Sequence, residues 1–455
     1  MQTIFAKRAC TPDGWVHDLR LTHDMGQITA LQIDTAAQPG DMLVDTLLPS
    51  LGNLHSHSFQ RAMAGMTEVR AAGKDSFWTW RKLMYQFVEH VTPEQYQAIA
   101  ALVFMEMQEA GYASVGEFHY VHHQPGGTRY GSVSELSQRV FAAANETGIG
   151  LTHLPVLYSY GGAGEAELGG GQKRFGNTVD QYSNLVTETR QLATSLLPGD
   201  ARVGIAPHSL RATCPNDLKE VLALQLGNPA HIHIAEQPKE VADVEAWLGA
   251  RPVEWLLQNA PIDDTWCLIH ATHMTKAETQ GMAQSGAVAG LCPITEANLG
   301  DGPFNGVEYL AHGGSFGIGS DSNVRISLPE ELRMLEYSQR LRDLSRNVII
   351  PGEGSVGETL YLGAAAGGAQ ALGRKAGQIE VGALADLVAI DSTTPALCAL
   401  RDDQILDGLC FASGDNLVTD LWSAGRHQVQ SGRHVSREAI VTKYRQAIHS
   451  LLSAI

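Results

Sequence analysis

The chain has 455 residues, 44% hydrophobic and 18% charged, a balance usual for a globular enzyme and long enough for a large α/β barrel with an accessory unit. Its formal net charge of -17 repels phosphate backbones and anionic lipid, which argues against nucleic-acid and membrane-surface roles. No apolar run approaches the roughly 20 residues of a membrane span, the opening MQTIFAKRACTPDGW lacks the apolar stretch of a secretory signal, and the six cysteines form no C-x-x-C pair, so reduced thiols and a cytoplasmic location are expected.

Residues 1–46 alternate short apolar stretches with the turn signals TPDGW, THDMGQ and AAQPGD, which predicts a few antiparallel strands. From 47 to 375 short apolar runs alternate with longer helical patterns, the rhythm of repeated βα units and a parallel sheet. The candidate strands are LLPSLGNLH, ASVGEFH, GLTHLPVLY, RVGIAPH, AHIHIAE, WCLIHA, AVAGLCP and SFGIGSD. Eight is the number that closes a (β/α)8 barrel. Between them, TPEQYQAIAALVFMEMQEAG carries the grammar of a helix, with Thr92 as N-cap, Pro93 in the first turn and Gly111 as the stop. The tract 161–176, GGAGEAELGGGQKRFG, lacks the G-K-[ST] ending of a phosphate loop and reads as a mobile loop covering a site. Residues 376–455 return to β-branched residues between glycine turns, then a terminal helix. The expected architecture is an α/β fold: a (β/α)8 barrel over 47–375 and a small β-sandwich domain assembled from 1–46 and 376–455.

Barrel active sites sit at the C-terminal ends of the strands, and six of the eight candidates carry a histidine or an acid at their last position or, in WCLIHA, one residue before it. In HSHS, His55 and His57 share one strand face, and two such imidazoles are costly to desolvate unless an ion engages them. HIHIAE repeats the pattern: His233, nearer the strand end, is the better ligand, and His231 is expected to pack one layer below. Asp321 closes FGIGSD and completes an N3O set with His55, His57 and His233. Such a set suits Zn2+, with Fe2+ or Mn2+ as alternatives, at bonds of about 2.0–2.2 Å. RVGIAPH has no lysine to bridge a second metal, so one ion per subunit is expected. The ion would lower the pKa of bound water toward about 7. Asp321 could take a proton from that water, Glu236 could pass one to a departing nitrogen, and His270 could orient the nucleophile. His119 and His153, alone in their runs, read as packing residues.

These motifs together, HSHSFQRAMAG, APHSLRA, HIHIAEQ, IHATH, CPITEANLGDG and GSDSNVRISL, resemble the amidohydrolase superfamily, and within it the formimidoylglutamate deiminases, over nearly the whole chain. The resemblance implies the same barrel and β-sandwich, bound zinc, a homodimer, and hydrolysis of N-formimidoyl-L-glutamate to N-formyl-L-glutamate and ammonia in histidine degradation. It implies metal ligands His55, His57, His233 and Asp321, and proton transfer by Glu236, His270 and Asp321. It also places Gln60, Tyr120, His208 and Arg211 at the substrate. A small dicarboxylate entering so acidic a chain needs fixed guanidinium groups: Arg211 is the first choice, and Arg81 a second, supplied by its own or the neighbouring subunit. Arg61 and Arg70 read as solvated, and Trp78 and Trp80 either line the mouth or pack. TEAN at 295–298 replaces the SN of many nucleobase deaminases. The alternative reading is a deaminase of the same type acting on a nucleobase, nucleoside or guanidino compound.

Overall fold

The computed structural model describes residues 1–68 and 77–455, apart from the side chains of Trp78 and Thr79. Arg70 and the Trp78 side chain therefore lie outside the described residues. Strands β1 (Gln2–Thr11), β2 (Gly14–Asp24) and β3 (Gln27–Gln32) form the expected antiparallel meander. The next strand, β4 (Met42–Pro49), differs from expectation twice: it pairs parallel to β1, and it crosses the expected boundary between residues 46 and 47. The reason is two-sided burial. Leu47 faces the core of the terminal sheet and Leu48 faces the barrel core, so one apolar strand serves both units. Pro49 has no N–H to continue the ladder, and Ser50 turns away, its N–H donating to the Asp386 carbonyl (3.0 Å) and its hydroxyl to the Gly111 carbonyl (2.8 Å). LLPSLGNLH is thus two strands.

The barrel follows as β5 (Leu51–Ser56), β6 (Tyr112–His119), β7 (Gly150–Leu157), the short pair β8 (Arg202–Val203) and β9 (Ala206–Pro207), then β10 (Ala230–Ile234), β11 (Trp266–His270), β12 (Val288–Leu291) and β13 (Ser315–Ile318). Every pairing among them is parallel. Two arcs close on each other through isolated bridges, Ile205 with Ala230 and Ser209 with His233 on one side and Ser56 with Asp321 on the other. RVGIAPH is interrupted at Gly204, where a Cβ would lie 2.4 Å from the Pro229 carbonyl oxygen, so β8 and β9 act as one strand broken by a close backbone approach. The second closure matters most for chemistry. Asp321 N–H donates to the His55 carbonyl and His57 N–H to the Asp321 carbonyl, both at 2.9 Å, which brings the two ends of the barrel sequence side by side.

Helices α1 (Phe77–His90) and α2 (Pro93–Ala110) fill the long connection after β5. In α2 the Thr92 hydroxyl accepts from Gln95 N–H, and Gly111 ends the helix at φ 105°, as the sequence grammar predicts. After the barrel, β14 (Leu387–Ile390), β15 (Val418–Ser423), β16 (Arg426–Gln430) and β17 (Arg433–His434) join the N-terminal strands in one eight-stranded sheet, in the order β17-β16-β15-β14-β4-β1-β2-β3. The sheet curls: Ile28 of β3 donates to the Ala383 carbonyl and Ala385 donates to the Gly26 carbonyl (2.9 and 2.8 Å). It wraps its own core of Ile4, Leu19, Leu21, Leu387 and Trp422. A buried ion network ties sheet to barrel, with Arg374 between Asp386 (2.9 Å) and Asp200 (3.1 Å), and Asp200 also holding Arg426 (2.8 Å). The terminal helix Arg437–Leu452, expected with the small domain, lies along α2, where Gln95 donates to Ser450 (3.3 Å).

Candidate metal centre and active site

The barrel rim gathers His55, His57, His233 and Asp321 into one buried cluster. The His233 Nε2 lies 3.1 Å from His55 Nε2 and 3.4 Å from His57 Nε2, while Asp321 Oδ1 lies 3.5 Å from His55 Nε2 and 3.3 Å from His57 Nε2. A tetrahedron of about 2.1 Å bonds has ligand atoms about 3.4 Å apart. The protons also fit. His57 Nδ1 donates to the Phe118 carbonyl (2.9 Å) and His233 Nδ1 to the His208 carbonyl (3.1 Å), which leaves their Nε2 lone pairs pointing at one another. Lone pairs converging in a buried space repel unless a cation sits among them, and burial holds all three imidazoles below their usual range, His55 at about 3. The donor set therefore fits a single divalent ion. His231 is not part of it: its Nε2 donates to the Ala371 carbonyl (2.8 Å) one layer below.

Beside the cluster stand three more titratable groups. His270 Nε2 faces Glu236 Oε1 (3.9 Å) and Asp321 Oδ2 (3.8 Å), and His270 Nδ1 donates to Glu296 Oε1 (3.2 Å). Burial alone would lower His270, but the Glu296 hydrogen bond and the carboxylates of Glu236 and Asp321 outweigh it and hold the imidazole at about 10. Burial raises Glu236 to about 7 against the pull of His270. For Asp321 burial is overcome by the His55 hydrogen bond and the surrounding imidazoles, which hold its carboxyl well below the usual range. The backbone is strained at these same strand ends: Ala235, His270 and Asp321 have φ of 51°, 67° and 44°. Left-handed backbone costs L-residues roughly 1–2 kcal/mol each, and its concentration here is the mark of a site that surrounding structure holds in place.

One pocket above the cluster is lined by His57, His233, Glu236, His270 and Asp321, and by all five residues placed at the substrate, Gln60, Arg81, Tyr120, His208 and Arg211. Arg81, from α1, lines the pocket of its own chain. Gln60 Nε2 donates to the Tyr120 hydroxyl (2.7 Å), and the His208 Nδ1 meets the Ser209 hydroxyl (2.9 Å). Trp80 lines the pocket as well. Arg61 corrects its expectation: instead of being solvated it is half-buried, donates to the Asn323 and Val324 carbonyls (2.9 and 3.0 Å) and pairs with Glu106 (2.9 Å). The tract 161–176 does reach the site, since Phe175 lines the pocket, but it is anchored there by the buried Arg174, which donates to the His123 (2.7 Å), Val88 and Val91 carbonyls. Sequence reasoning passed over Glu296, Tyr85, Tyr158 and Phe175. Glu296 had a signal, an acid in the turn after the seventh strand candidate.

Three further histidines, His119 at the end of β6, His122 just beyond it and His153 inside β7, lie behind the barrel wall. The His119 Nδ1 accepts from Tyr96 (3.0 Å), His153 Nε2 meets Ser137 (3.0 Å) and His122 Nε2 donates to the Val156 carbonyl (3.0 Å). Burial keeps all three neutral, His153 down to about 3. The unfolded chain takes up these protons near 6.5 and the folded chain does not, so stability is lost as pH falls below that value. At pH 5 the loss is about 2 kcal/mol per imidazole. Urea unfolding at pH 7.5 and pH 5 should show the drop, with a smaller drop in His153→Asn; an unchanged midpoint would exclude this penalty.

The model of the amidohydrolase family matches residues 46–427. The chain belongs to the amidohydrolase family. The model described as formimidoylglutamate deiminase HutF, N-terminal domain, matches residues 1–45, so the two family matches meet where barrel and terminal sheet share β4. Over 455 residues the chain is 47% identical to a formimidoylglutamate deiminase of Pseudomonas aeruginosa, covering 99% of this chain and 100% of that one. It is 27% identical over 398 residues to a 5-methylthioadenosine/S-adenosylhomocysteine deaminase of Natronomonas pharaonis, covering 85% and 82% of the two chains. Among solved structures, an amidohydrolase from Brucella melitensis superposes with a TM-score of 0.95 at 46% identity, over 99% of this chain and 100% of that one. A zinc-bound adenosine deaminase from Xanthomonas campestris shares the fold with a TM-score of 0.81 at 23% identity, over 99% and 98% of the chains.

Proposed function

We propose that this amidohydrolase is a metal-dependent deiminase that hydrolyses N-formimidoyl-L-glutamate to N-formyl-L-glutamate and ammonia. The observation that carries the reading is the full-length 47% identity to a deiminase of that substrate, in a chain whose pocket joins the ligand cluster to two arginines. His55, His57, His233 and Asp321 hold the ion, which is zinc. Zinc bound there supplies Lewis acidity, which makes water acidic enough to react at neutral pH.

The remaining work falls to side chains. Arg211 and Arg81 take the substrate carboxylates, while Gln60, Tyr120 and His208 orient the formimidoyl group. Water oxygen adds to the formimidoyl carbon, and Asp321 Oδ2 takes its proton. Glu236, poised near neutrality by burial, gives a proton to the imino nitrogen; as the C–N bond breaks, the proton held by Asp321 reaches that nitrogen and the hydroxyl proton of the adduct passes to Glu236, so ammonia leaves, the formyl carbonyl forms and both carboxyls are restored. His270, held charged by Glu296, faces the developing negative charge. The same reading includes one ion per subunit, a homodimer, a cytoplasmic location and a place in histidine degradation, and its support is the family.

The test is ammonia release by purified, metal-analysed protein offered formimidoylglutamate, guanine, adenosine and cytosine. Turnover of formimidoylglutamate alone is expected. Turnover of a nucleobase or nucleoside alone would replace this function with the other deaminase reading.

A further inference from the structure

Tyr158 directly follows β7 at the rim and lines the pocket, yet its run GLTHLPVLY looks like ordinary barrel core. Its ring packs edge-on against His208, with centroids 4.5 Å apart, and the residue is 2% exposed. What sets it apart is the direction of its hydrogen bonds. The phenol oxygen accepts from Gln172 Nε2 (3.1 Å) and from an Arg81 terminal nitrogen (3.5 Å). Gln172 cannot turn away: its Nε2 also donates to the Gly161 carbonyl (3.1 Å), and its Oε1 accepts from Gly169 N–H (3.0 Å). Gln172 thereby presents a donor to Tyr158 and keeps its acceptor occupied elsewhere. A phenol has two acceptor directions and one proton. Both acceptor directions are taken, and among the described residues no side chain accepts the proton.

We infer that Tyr158 is a substrate-binding residue whose O–H donates to the carboxylate that Arg81 binds, with Gln172 as the residue that positions it. The class of ligand follows from the surroundings. A buried O–H beside a guanidinium, with no acceptor of its own, is satisfied by an anion that accepts from both, and a carboxylate has two oxygens for the purpose. The Arg81 side chain is also held by the Tyr85 hydroxyl and lies over the Tyr85 ring (5.4 Å to its centroid), so the guanidinium is fixed while Tyr158 contributes the neighbouring donor. The inference rests on the proposed function for the identity of the anion.

The experiment is Tyr158→Phe, assayed on N-formimidoyl-L-glutamate and on two analogues that each lack one carboxylate, N-formimidoyl-4-aminobutyrate and N-formimidoyl-L-2-aminobutyrate. The variant should lose about tenfold or more in kcat/KM on the full substrate, mostly through KM, and under about twofold on the analogue missing the carboxylate in question. Equal loss on all three, or none on the full substrate, would overturn it. If the unaltered protein releases no ammonia from formimidoylglutamate, the proposed function fails by itself. Calorimetric binding of N-formyl-L-glutamate to both proteins then decides on Tyr158: about tenfold weaker binding to the variant supports it, and equal binding, or none to either, overturns it.

Discussion

Glu236→Gln should lower kcat by between about a hundredfold and ten-thousandfold with little change in KM, because it removes a proton that moves only during the reaction and no group that binds the carboxylates. The side chain keeps its shape and its burial, so the fold and the metal content should be unchanged. The pH profile carries the sharper information. Burial places the Glu236 carboxyl at about 7, and the form that donates to nitrogen is the protonated one. Activity should therefore fall as pH rises through about 7 in the unaltered protein, and this falling limb should be absent in Glu236→Gln. Glu240, buried with its Oε2 accepting from the Glu236 N–H (3.0 Å), would be the control: its replacement by Gln removes a charge that raises Glu236, so the falling limb remains but moves to lower pH. Stopped-time ammonia release from pH 5.5 to 9 reads all three. A Glu236→Gln protein within tenfold of the original would move the proton transfer to another residue.

How much of this was legible in the sequence depended on whether a residue's partner was local or remote. His55 with His57, and His231 with His233, announce a shared face because strand geometry alone puts them there. The helix ends at Thr92 and Gly111 are equally local. LLPSLGNLH was misjudged because Leu47 and Leu48 belong to different cores, and an unbroken apolar run looks the same whether it lies in one core or two. Glu296 was in plain view in TEAN, but its contact with His270 spans two neighbouring strand ends and exists only once the barrel closes. Arg61 was misjudged for the same reason, its partners being carbonyls near the far end of the barrel sequence. Tyr158 carried no signal at all, since the direction of a hydroxyl proton depends on Gln172 and Arg81, neither of them its neighbour in sequence. Residue type at strand ends thus predicted which four side chains cluster at the rim, while the groups that orient their neighbours required the register.

Two histidines on one face of one strand allow the metal assignment to be tested against its own geometry. His233→Ala should reduce bound metal to a small fraction and activity by at least about a thousandfold, since it removes one of four donors and leaves the His55 and His57 lone pairs facing an empty space. Asp321→Asn should do comparable damage by a different route. The amide keeps one oxygen, but its nitrogen either faces the imidazole nitrogens or points a donor at His270, which is itself charged. His231→Ala, two residues earlier, loses only the bond to the Ala371 carbonyl and some packing, so it should cost stability, about 1–3 kcal/mol in urea unfolding, while metal stoichiometry and kcat stay close to those of the unaltered protein. Metal analysis by mass spectrometry on the three purified variants, with circular dichroism to check folding, separates the cases. Identical composition and identical strand face make local explanations equal for His231 and His233, so a difference in metal content between them can come only from which of the two reaches the rim. Full metal occupancy in a folded His233→Ala protein would show that the ion is held elsewhere, and the attack, the proton route and the two arginines would then have to be reassigned together.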